Sequence, residues 1–206
     1  MHSELLSFAQ QWVTFSPSEA REIACCFQPT VLKKGRFFVR KGEVCQQVAF
    51  IVKGVMRIFY RQKNGETTRY LGSEHSFITS LGSFVSGSAC PENIEALEDC
   101  ELLVIQRHDL RRLCQQIHAF ETLYSKVLEY MFMCTEKRIA DFITQTAEER
   151  YLTLLDQRPG LVQRVPQKYI ASYIGITPQS LSRLQKTAYA RAKLPFVNNL
   201  PVNTRV

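Results

Sequence analysis

The sequence predicts an α+β protein with a strand-rich N-terminal domain, one long helix and a C-terminal pair of short helices. Three observations lead to this prediction. Short apolar runs alternate with turn residues between positions 28 and 106, which is typical of β-strands. The stretch from about 118 to 145 contains no Gly or Pro and repeats its apolar residues at helical spacing. Residues 167–184 carry the pattern of two helices joined by a tight turn.

The N-terminal domain is expected to begin with a short helix and to continue in strands. Ser16 can cap the helix, Pro17 suits its first turn and Glu19 completes a capping box, so the helix should run to about Cys26. Asn64-Gly65 is a strong hairpin signal because both positions tolerate positive φ. Many short strands at regular spacing predict a β-barrel or sandwich-like unit. The strand-like runs are Phe37–Val39, Val48–Val52, Val55–Tyr60 and Leu102–Ile105.

Two helices are predicted next. Asp109 is expected to cap a short one that contains Leu110, Leu113 and Ile117. The longer one runs from about His118 to Gln145 and has an apolar seam of 3.5-residue period, as in a coiled coil. The seam residues are Phe120, Tyr124, Val127, Met131 and Cys134. A second apolar surface is formed by Leu123, Leu128, Ile139, Phe142 and Ile143. A helix apolar on two sides is expected to pack on two sides, so we favour a homodimer through the seam over a helix buried within one monomer.

The segment after the long helix contains another helix start and a break. Thr146-Ala147-Glu148-Glu149 predicts a capped helix that ends near Gln157. Pro159-Gly160 interrupts it, and Leu161 to Val165 is predicted as a short strand of a small hairpin. Residues 189–206 contain two prolines and are expected to form either a flexible basic tail or an extra docking segment.

The charge of the chain is concentrated at its C-terminal end. The net charge is +7, yet residues 157–206 contain eight basic residues and no Asp or Glu, which leaves 18 basic and 19 acidic residues before them. A segment of one sign repels itself unless it meets a polyanion, and double-stranded DNA is the usual partner because condensed counterions are released on binding. A solvated basic tail is the alternative that charge alone leaves open.

The pattern inside this segment favours DNA. A small residue, Ala171, is followed four positions later by Gly175, which can adopt a left-handed turn, and six positions after that by apolar Leu181. Thr177 is a good N-cap, with Pro178 at the first position of the second helix. This is the core pattern of a DNA-binding helix-turn-helix. An ordinary helical hairpin is the alternative, but it explains neither the missing acidic residues nor the polar outer face of the second helix.

The second helix is expected to enter the major groove with its N-terminus first. Arg183 can contact guanine through two hydrogen bonds, and Gln179 can pair with the edge of adenine. The predicted base-contacting residues are Gln179, Ser180, Ser182 and Arg183. The predicted phosphate-contacting residues are Lys168, Thr177 and Lys186, which position the protein without reading sequence.

With these motifs in place, the chain resembles the CRP/FNR family of regulators over about Phe15 to Lys186. The likeness lies in the strand run from Gly42-Glu43 to Arg57, the helix end Glu136-Lys137-Arg138-Ile139-Ala140 and the helix-turn-helix. The resemblance implies a β-roll sensor domain over 1–117, a dimerisation helix over 118–145 and a winged helix-turn-helix domain with a tail over 146–206. It also implies a sequence-specific transcription regulator that binds palindromic DNA as a homodimer, with RNA polymerase and a small-molecule effector as further candidate partners.

The resemblance is weakest in the nucleotide pocket of the β-roll. The family's segment Phe-Ile-Gly-Glu-Leu-Gly corresponds here to Phe77–Gly82, so that Thr79 and Ser80 replace the Gly-Glu pair. The family's phosphate-binding Arg-Ser pair falls on Cys90 and Pro91. Losing that arginine removes a charge-assisted bidentate contact, and nearby Glu92 and Glu95 would repel a phosphate. We therefore expect regulation that does not depend on cyclic AMP.

Other classes of function have little support in the sequence. The seven cysteines form no C-x-x-C pair, and the N-terminal cysteine cluster of the iron–sulfur branch of the family is absent, so we expect no metal and no cofactor. Four scattered histidines and no nucleophile motif argue against an enzyme. The first residues show no secretory signal, and no apolar run is long enough for a membrane span, which predicts a cytoplasmic protein without a membrane partner. The alternative function is a β-roll small-molecule or redox sensor with weak or lost DNA binding.

Overall fold

A computed structural model describes residues 1–63 and 65–192 of the chain, with side chains through residue 186. The chain divides into two compact units, Met1–Ile139 and Ala140–Val206. Asn64 of the predicted hairpin turn and residues 193–206 of the predicted tail lie outside the described residues. None of the helices in the described part of the chain is both long enough and apolar enough to cross a membrane.

The first unit combines helices at both ends with two antiparallel sheets. The strand orders are β1-β8-β3-β6 and β2-β7-β4-β5. Each strand-like run of the sequence coincides with an observed strand. The elements are α1 (His2–Ala9), α2 (Pro17–Cys26), β1 (Gln28–Leu32), β2 (Phe37–Val39), β3 (Gln47–Lys53), β4 (Met56–Gln62), β5 (Gly65–Gly72), β6 (Phe77–Ile78), α3 (Leu81–Ser86), β7 (Asn93–Ala96), β8 (Cys100–Gln106), α4 (Arg107–Gln116) and α5 (His118–Thr144), which continues into the second unit.

The core of the first unit draws on both sheets and on the helices. Phe50 and Ile51 in β3 and Leu102 in β8 are fully buried, and Ile94 in β7 joins the same cluster. Strands buried on both faces show continuous apolar runs, which is why Val48–Val52 does not alternate. Close packing also fixes one backbone position. Gly54 has φ +111°, and a Cβ there would lie 2.5 Å from the Sγ atom of Cys100, so only glycine fits.

Of the two helix starts predicted for the first unit from capping residues, one is correct and one is wrong. The capping box of α2 is present, since the Ser16 hydroxyl accepts from the backbone N–H of Glu19. The predicted cap at Asp109 is wrong, because α4 begins at Arg107 and its N-cap residue is Gln106, three residues before Asp109. Asp109 lies in the first turn, where a carboxylate interacts favourably with the helix dipole, and it forms a salt bridge with Arg112.

The second unit is helical throughout its described residues. The end of α5 is followed by α6 (Ala147–Gln157), α7 (Pro159–Arg164), α8 (Gln167–Ile174) and α9 (Pro178–Ala192). The capping box of Thr146 and Glu149 is present as predicted. The strand predicted for Leu161 to Val165 is wrong, because Pro159 starts a short helix instead. Leu161 and Val162 of this helix are buried, as is Val165 at its C-cap. No strand occurs between 140 and 192, so the described part of this unit contains no wing.

Candidate nucleic-acid interface and ligand pocket

The turn between α8 and α9 has the geometry that the glycine pattern predicts. Gly175 adopts the left-handed conformation with φ +82° and ends α8. The backbone N–H of Ile176 donates to the carbonyl oxygen of Ala171 at 2.9 Å, which satisfies one of the last carbonyls of the helix. Ile170, Ala171 and Leu181 are buried, so the two helices pack through the small and apolar positions of the pattern.

Arg150 of α6 supports this turn and was not identified from the sequence. Its guanidinium donates to the carbonyl oxygen of Ile174 from Nε at 3.1 Å and from Nη2 at 3.0 Å. It also lies over the ring of Phe142, 4.5 Å from the centroid. A cation that binds the last carbonyls of a helix stabilises its C-terminus. The side chain of Gln185 forms a second such link, donating to the hydroxyl of Tyr151 at 3.0 Å and to Oε1 of Gln167 at 2.9 Å.

Thr177 is the cap of α9, as predicted. Its Oγ1 accepts from the backbone N–H of Ser180 at 3.1 Å, and its hydroxyl lies 2.9 Å from that of Ser180. The two hydroxyls are therefore hydrogen-bonded to each other. An N-cap hydroxyl of this kind fixes the start of the helix that the pattern assigns to the major groove.

The outer surface of the α8–α9 pair is polar and exposed. The predicted contact residues Lys168, Thr177, Gln179, Ser180, Ser182, Arg183 and Lys186 are all exposed. Lys168 places its ammonium 4.8 Å from the ring centroid of Tyr169, in a cation–π contact. The buried face of α9 contains Leu181, and the predicted base-contacting residues lie away from it. The geometry thus separates a packing face from a basic, polar face.

Short polar side chains with hydrogen-bond partners occupy the positions of the predicted nucleotide pocket. Thr79, Ser80 and Cys90 are buried, whereas Pro91 is exposed. The Thr79 hydroxyl donates to the carbonyl oxygen of Gln47 at 2.9 Å. The Cys90 thiol donates to Oγ of Ser80 at 3.0 Å. None of these groups carries a positive charge that could hold a phosphate.

The carboxylates beside this pocket are paired, which corrects the expected repulsion. Arg69 makes a bidentate contact with the buried carboxylate of Glu92, at 2.8 Å and 3.1 Å. The guanidinium of Arg57 forms two salt bridges, from Nε to the carboxylate of Glu95 and from Nη2 to that of Glu66. Burial, with Glu92 as the next cause, raises the pKa of the Tyr60 hydroxyl. The obstacle to a phosphate is therefore that the nearby arginines already bind carboxylates.

An apolar cavity of about 50 Å³ lies in the first unit. Its lining comes from α1, the sheets and α5, and includes Leu5, Phe77, Phe120 and Val127. Thr79 of the predicted pocket also borders it. An apolar void of this size accepts apolar atoms more readily than water, which needs two or more polar partners.

Helix α5 uses its predicted seam mainly inside its own unit. Phe120 is part of the core, and Tyr124 and Val127 pack against that core. Met131 borders the apolar cavity, and Cys134 is the one seam residue that is exposed. The seam therefore contacts the protomer's own domain. Other apolar residues of α5 within the first unit remain exposed: Tyr130, Phe132, Met133 and Ile139.

Comparison with known proteins agrees with this fold. Residues 29–117 match the cyclic nucleotide-binding domain. FixK2 from Bradyrhizobium japonicum is similar with a TM-score of 0.71 and 17% identity, over 84% of this chain and 89% of that one. A transcriptional regulator assigned to the crp/fnr family, from Eubacterium rectale, has a TM-score of 0.67 and 14% identity, over 86% of this chain and 85% of that one. The c-di-GMP responsive global regulator CLP from Xanthomonas campestris has a TM-score of 0.65 and 16% identity, over 89% of this chain and 96% of that one. No curated protein sequence matches the chain.

These similarities define the class of protein to which the fold belongs. Residues 29–117 are similar to the cyclic nucleotide-binding domain, and the chain has the fold of FixK2 and of the crp/fnr-family regulator. The resemblance predicted from the strand run, the helix end and the helix pair is confirmed at that level.

Proposed function

We propose that the chain is a sequence-specific DNA-binding transcription regulator of the CRP/FNR type, active as a homodimer and not controlled by cyclic AMP. The observation that carries the proposal is the exposed polar and basic face of α9, which begins at a capped N-terminus in a segment without a single acidic residue. We place this activity in the cytoplasm, where the DNA and RNA polymerase would be its partners.

In this proposal α9 occupies the major groove. Arg183 and Gln179 read base edges, because guanidinium and amide groups match the donor and acceptor patterns of guanine and adenine. Lys168 and Lys186 bind phosphates, as point charges that position the helix. Ser182 lies on the same exposed face, and the bonded pair of Thr177 and Ser180 lies at the end of α9 that enters first.

The proposed dimer forms through α5. The exposed apolar residues Phe132 and Ile139 lie seven positions apart, which places them on one side of the helix. Phe132 is 64% exposed and Ile139 56% exposed. Large apolar side chains that recur on one side of a helix are typical of a protein–protein interface. We therefore move the proposed interface from the predicted seam to this side, on which a second copy of α5 would bury these residues.

Independence from cyclic AMP follows from the chemistry of the pocket. A cyclic phosphate needs a guanidinium or several free N–H donors, and here Arg69 is engaged by Glu92 in a bidentate pair. Ser80 lacks the charge of a carboxylate that accepts from a ribose hydroxyl, and its buried hydroxyl already accepts from the Cys90 thiol. The second candidate function is a β-roll sensor with weak or lost DNA binding. The apolar cavity of the first unit favours this candidate, and its effector would be a small apolar molecule.

Selection of genomic DNA fragments by the purified protein tests the proposal. The selection is done at about 0.15 M salt, with and without cyclic AMP, on the wild type, Arg183→Ala and the control Arg21→Ala. We expect the wild type to enrich one palindromic motif equally with and without the nucleotide. The control should select the same motif, and Arg183→Ala should lose base preference at one position of it. Enrichment only with cyclic AMP would refute the pocket argument. No enrichment in any arm, together with tight binding of an apolar ligand, would favour the sensor.

A further inference from the structure

A basic groove on the first unit shares no residue with the predicted nucleotide pocket or with the α8–α9 pair. It has a volume of about 460 Å³ and is lined by Gln46, Gln106, Arg107, His108, Arg111, Arg112 and Gln115. Five of these belong to consecutive turns of α4, at spacings that bring them to one side of the helix. Every lining residue is polar, and none is acidic. The volume is within the range typical of small-molecule sites.

The charges in this groove are only partly neutralised. Arg112 donates to Oδ1 of Asp109 and to the thiol of Cys26, both at 3.1 Å, so its guanidinium is committed to its own unit. His108 also faces Asp109, at 3.1 Å. Arg111 is exposed and forms no salt bridge with any described residue. The groove therefore contains a guanidinium whose charge no described carboxylate balances.

Arg107 is held differently and defines one wall. Its Nη2 donates to the carbonyl oxygen of Ser83 at 3.1 Å, and its guanidinium faces the ring of Phe84 at 5.3 Å from the centroid. It forms no salt bridge with a described carboxylate either. Because α3 ends beside it, at Gly87, Arg107 connects the groove to the helix that follows Thr79 and Ser80 in the chain. Two guanidiniums without carboxylates thus lie in one concave site.

We propose that this groove binds a small ligand with a di- or triphosphate group. Guanidinium groups bind phosphate oxygens bidentately, and the amide groups of three glutamines add neutral donors. The lining contains no Phe, Tyr or Trp on which a nucleobase could stack, so the polyphosphate group is the part recognised. The site does not depend on the proposed DNA binding, because all its residues belong to the first unit.

The chain provides its own reporters for a test by nuclear magnetic resonance. It has only four histidines, and His108 is the one that lines the groove. Sodium tripolyphosphate is titrated into the full chain with labelled histidine at pH 7 and constant ionic strength. We expect a saturable shift of the His108 ring signals while those of His2, His75 and His118 stay in place. Shifts of equal size at all four histidines, or none at His108, would overturn the proposal.

Three variants separate the groove from other basic surfaces. Arg111→Gln should weaken tripolyphosphate binding about tenfold, the loss expected for one charge-assisted contact. Arg36→Gln removes the same charge from the exposed turn before β2, and Lys168→Gln removes a charge from the proposed DNA face; both should leave the affinity unchanged. An equal loss in Arg36→Gln would mean diffuse attraction, and a loss confined to Lys168→Gln would place the anion on α8. Either result contradicts the proposal.

Discussion

Replacing Gly175 with alanine should loosen the α8–α9 pair and leave the first unit intact. The residue has φ +82°, a conformation that residues with a Cβ rarely adopt. A Cβ built there would lie 2.8 Å from the Cε1 atom of Phe142, closer than real Cβ contacts. The ring would have to move, and with it the cation–π contact between Phe142 and the guanidinium of Arg150.

The size of the effect can be worked from these contacts. A left-handed conformation costs a residue with a Cβ about 1–2 kcal/mol. Weakening the contact between Arg150 and Phe142 adds roughly 0.5–1 kcal/mol. The free energy of opening the second unit should thus fall by about 1.5–3 kcal/mol, which corresponds to a change of roughly 10- to 150-fold in the opening equilibrium. Affinity for the DNA motif should fall by the fraction of molecules that the substitution opens, since the bound form needs the closed pair.

Hydrogen exchange followed by mass spectrometry measures the opening of the α8–α9 pair separately from the rest of the chain. Peptides that cover residues 167–186 should exchange faster by that factor, and peptides from the first unit serve as the internal reference. The matched control is Gly160→Ala in α7, where no atom lies within 4 Å of a built Cβ and φ is not positive. That change should be neutral or should slow exchange slightly, since alanine favours helix. Equal exchange in the two variants would refute the role assigned to Gly175.

Three further outcomes are expected. Arg183→Ala should cost about 1–3 kcal/mol of specific DNA binding in a gel-shift titration, and an equal loss on random DNA would mean phosphate contact alone. Phe132→Glu should convert a dimer to a monomer in sedimentation, whereas Lys126→Glu on another face of α5 should not. Burial opposes ionisation of Glu66, but hydrogen bonds from arginines, Arg57 foremost, lower its pKa. The resulting stability is present above the pKa of an unfolded glutamate and lost as pH falls through the folded value, so in urea unfolding Glu66→Gln should flatten this acid dependence.

Much of the fold could be predicted because its signals are local. Both capping boxes depend on side chains three residues apart, and the first residues of α2 and α6 follow from them. The glycine turn at Gly175 likewise depends on one residue's conformational freedom. The strand prediction for Leu161 to Val165 was wrong for a local reason too, because an apolar run this short fits a strand or a helical turn equally. The decisive signal was Pro159 at the first helical position.

The sites were less predictable because they depend on partners distant in sequence. The unsuitability of Cys90 and Pro91 for phosphate is visible in the residue types. The pairing of Glu92 with Arg69, which lies 23 residues earlier, is not. The same limit applies to α5: its 3.5-residue period predicts a seam, but not that Phe120 and Val127 would pack against their own domain. Periodicity identifies an apolar face, and only the tertiary fold decides what covers it.

The distribution of arginines bears on where an anionic effector could act. In the β-roll pocket a phosphate would have to displace Glu92 from Arg69 and leave a buried carboxylate without its partner, a cost of several kcal/mol by the usual behaviour of buried pairs. In the groove along α4 a phosphate would meet Arg111, which has no described carboxylate to give up. Exchange of one anion for another at Arg69 gains little free energy, whereas an anion that binds the exposed Arg111 displaces no described carboxylate and gains the modest, salt-dependent attraction of a surface pair. An anionic ligand of this protein should therefore be sought first on α4.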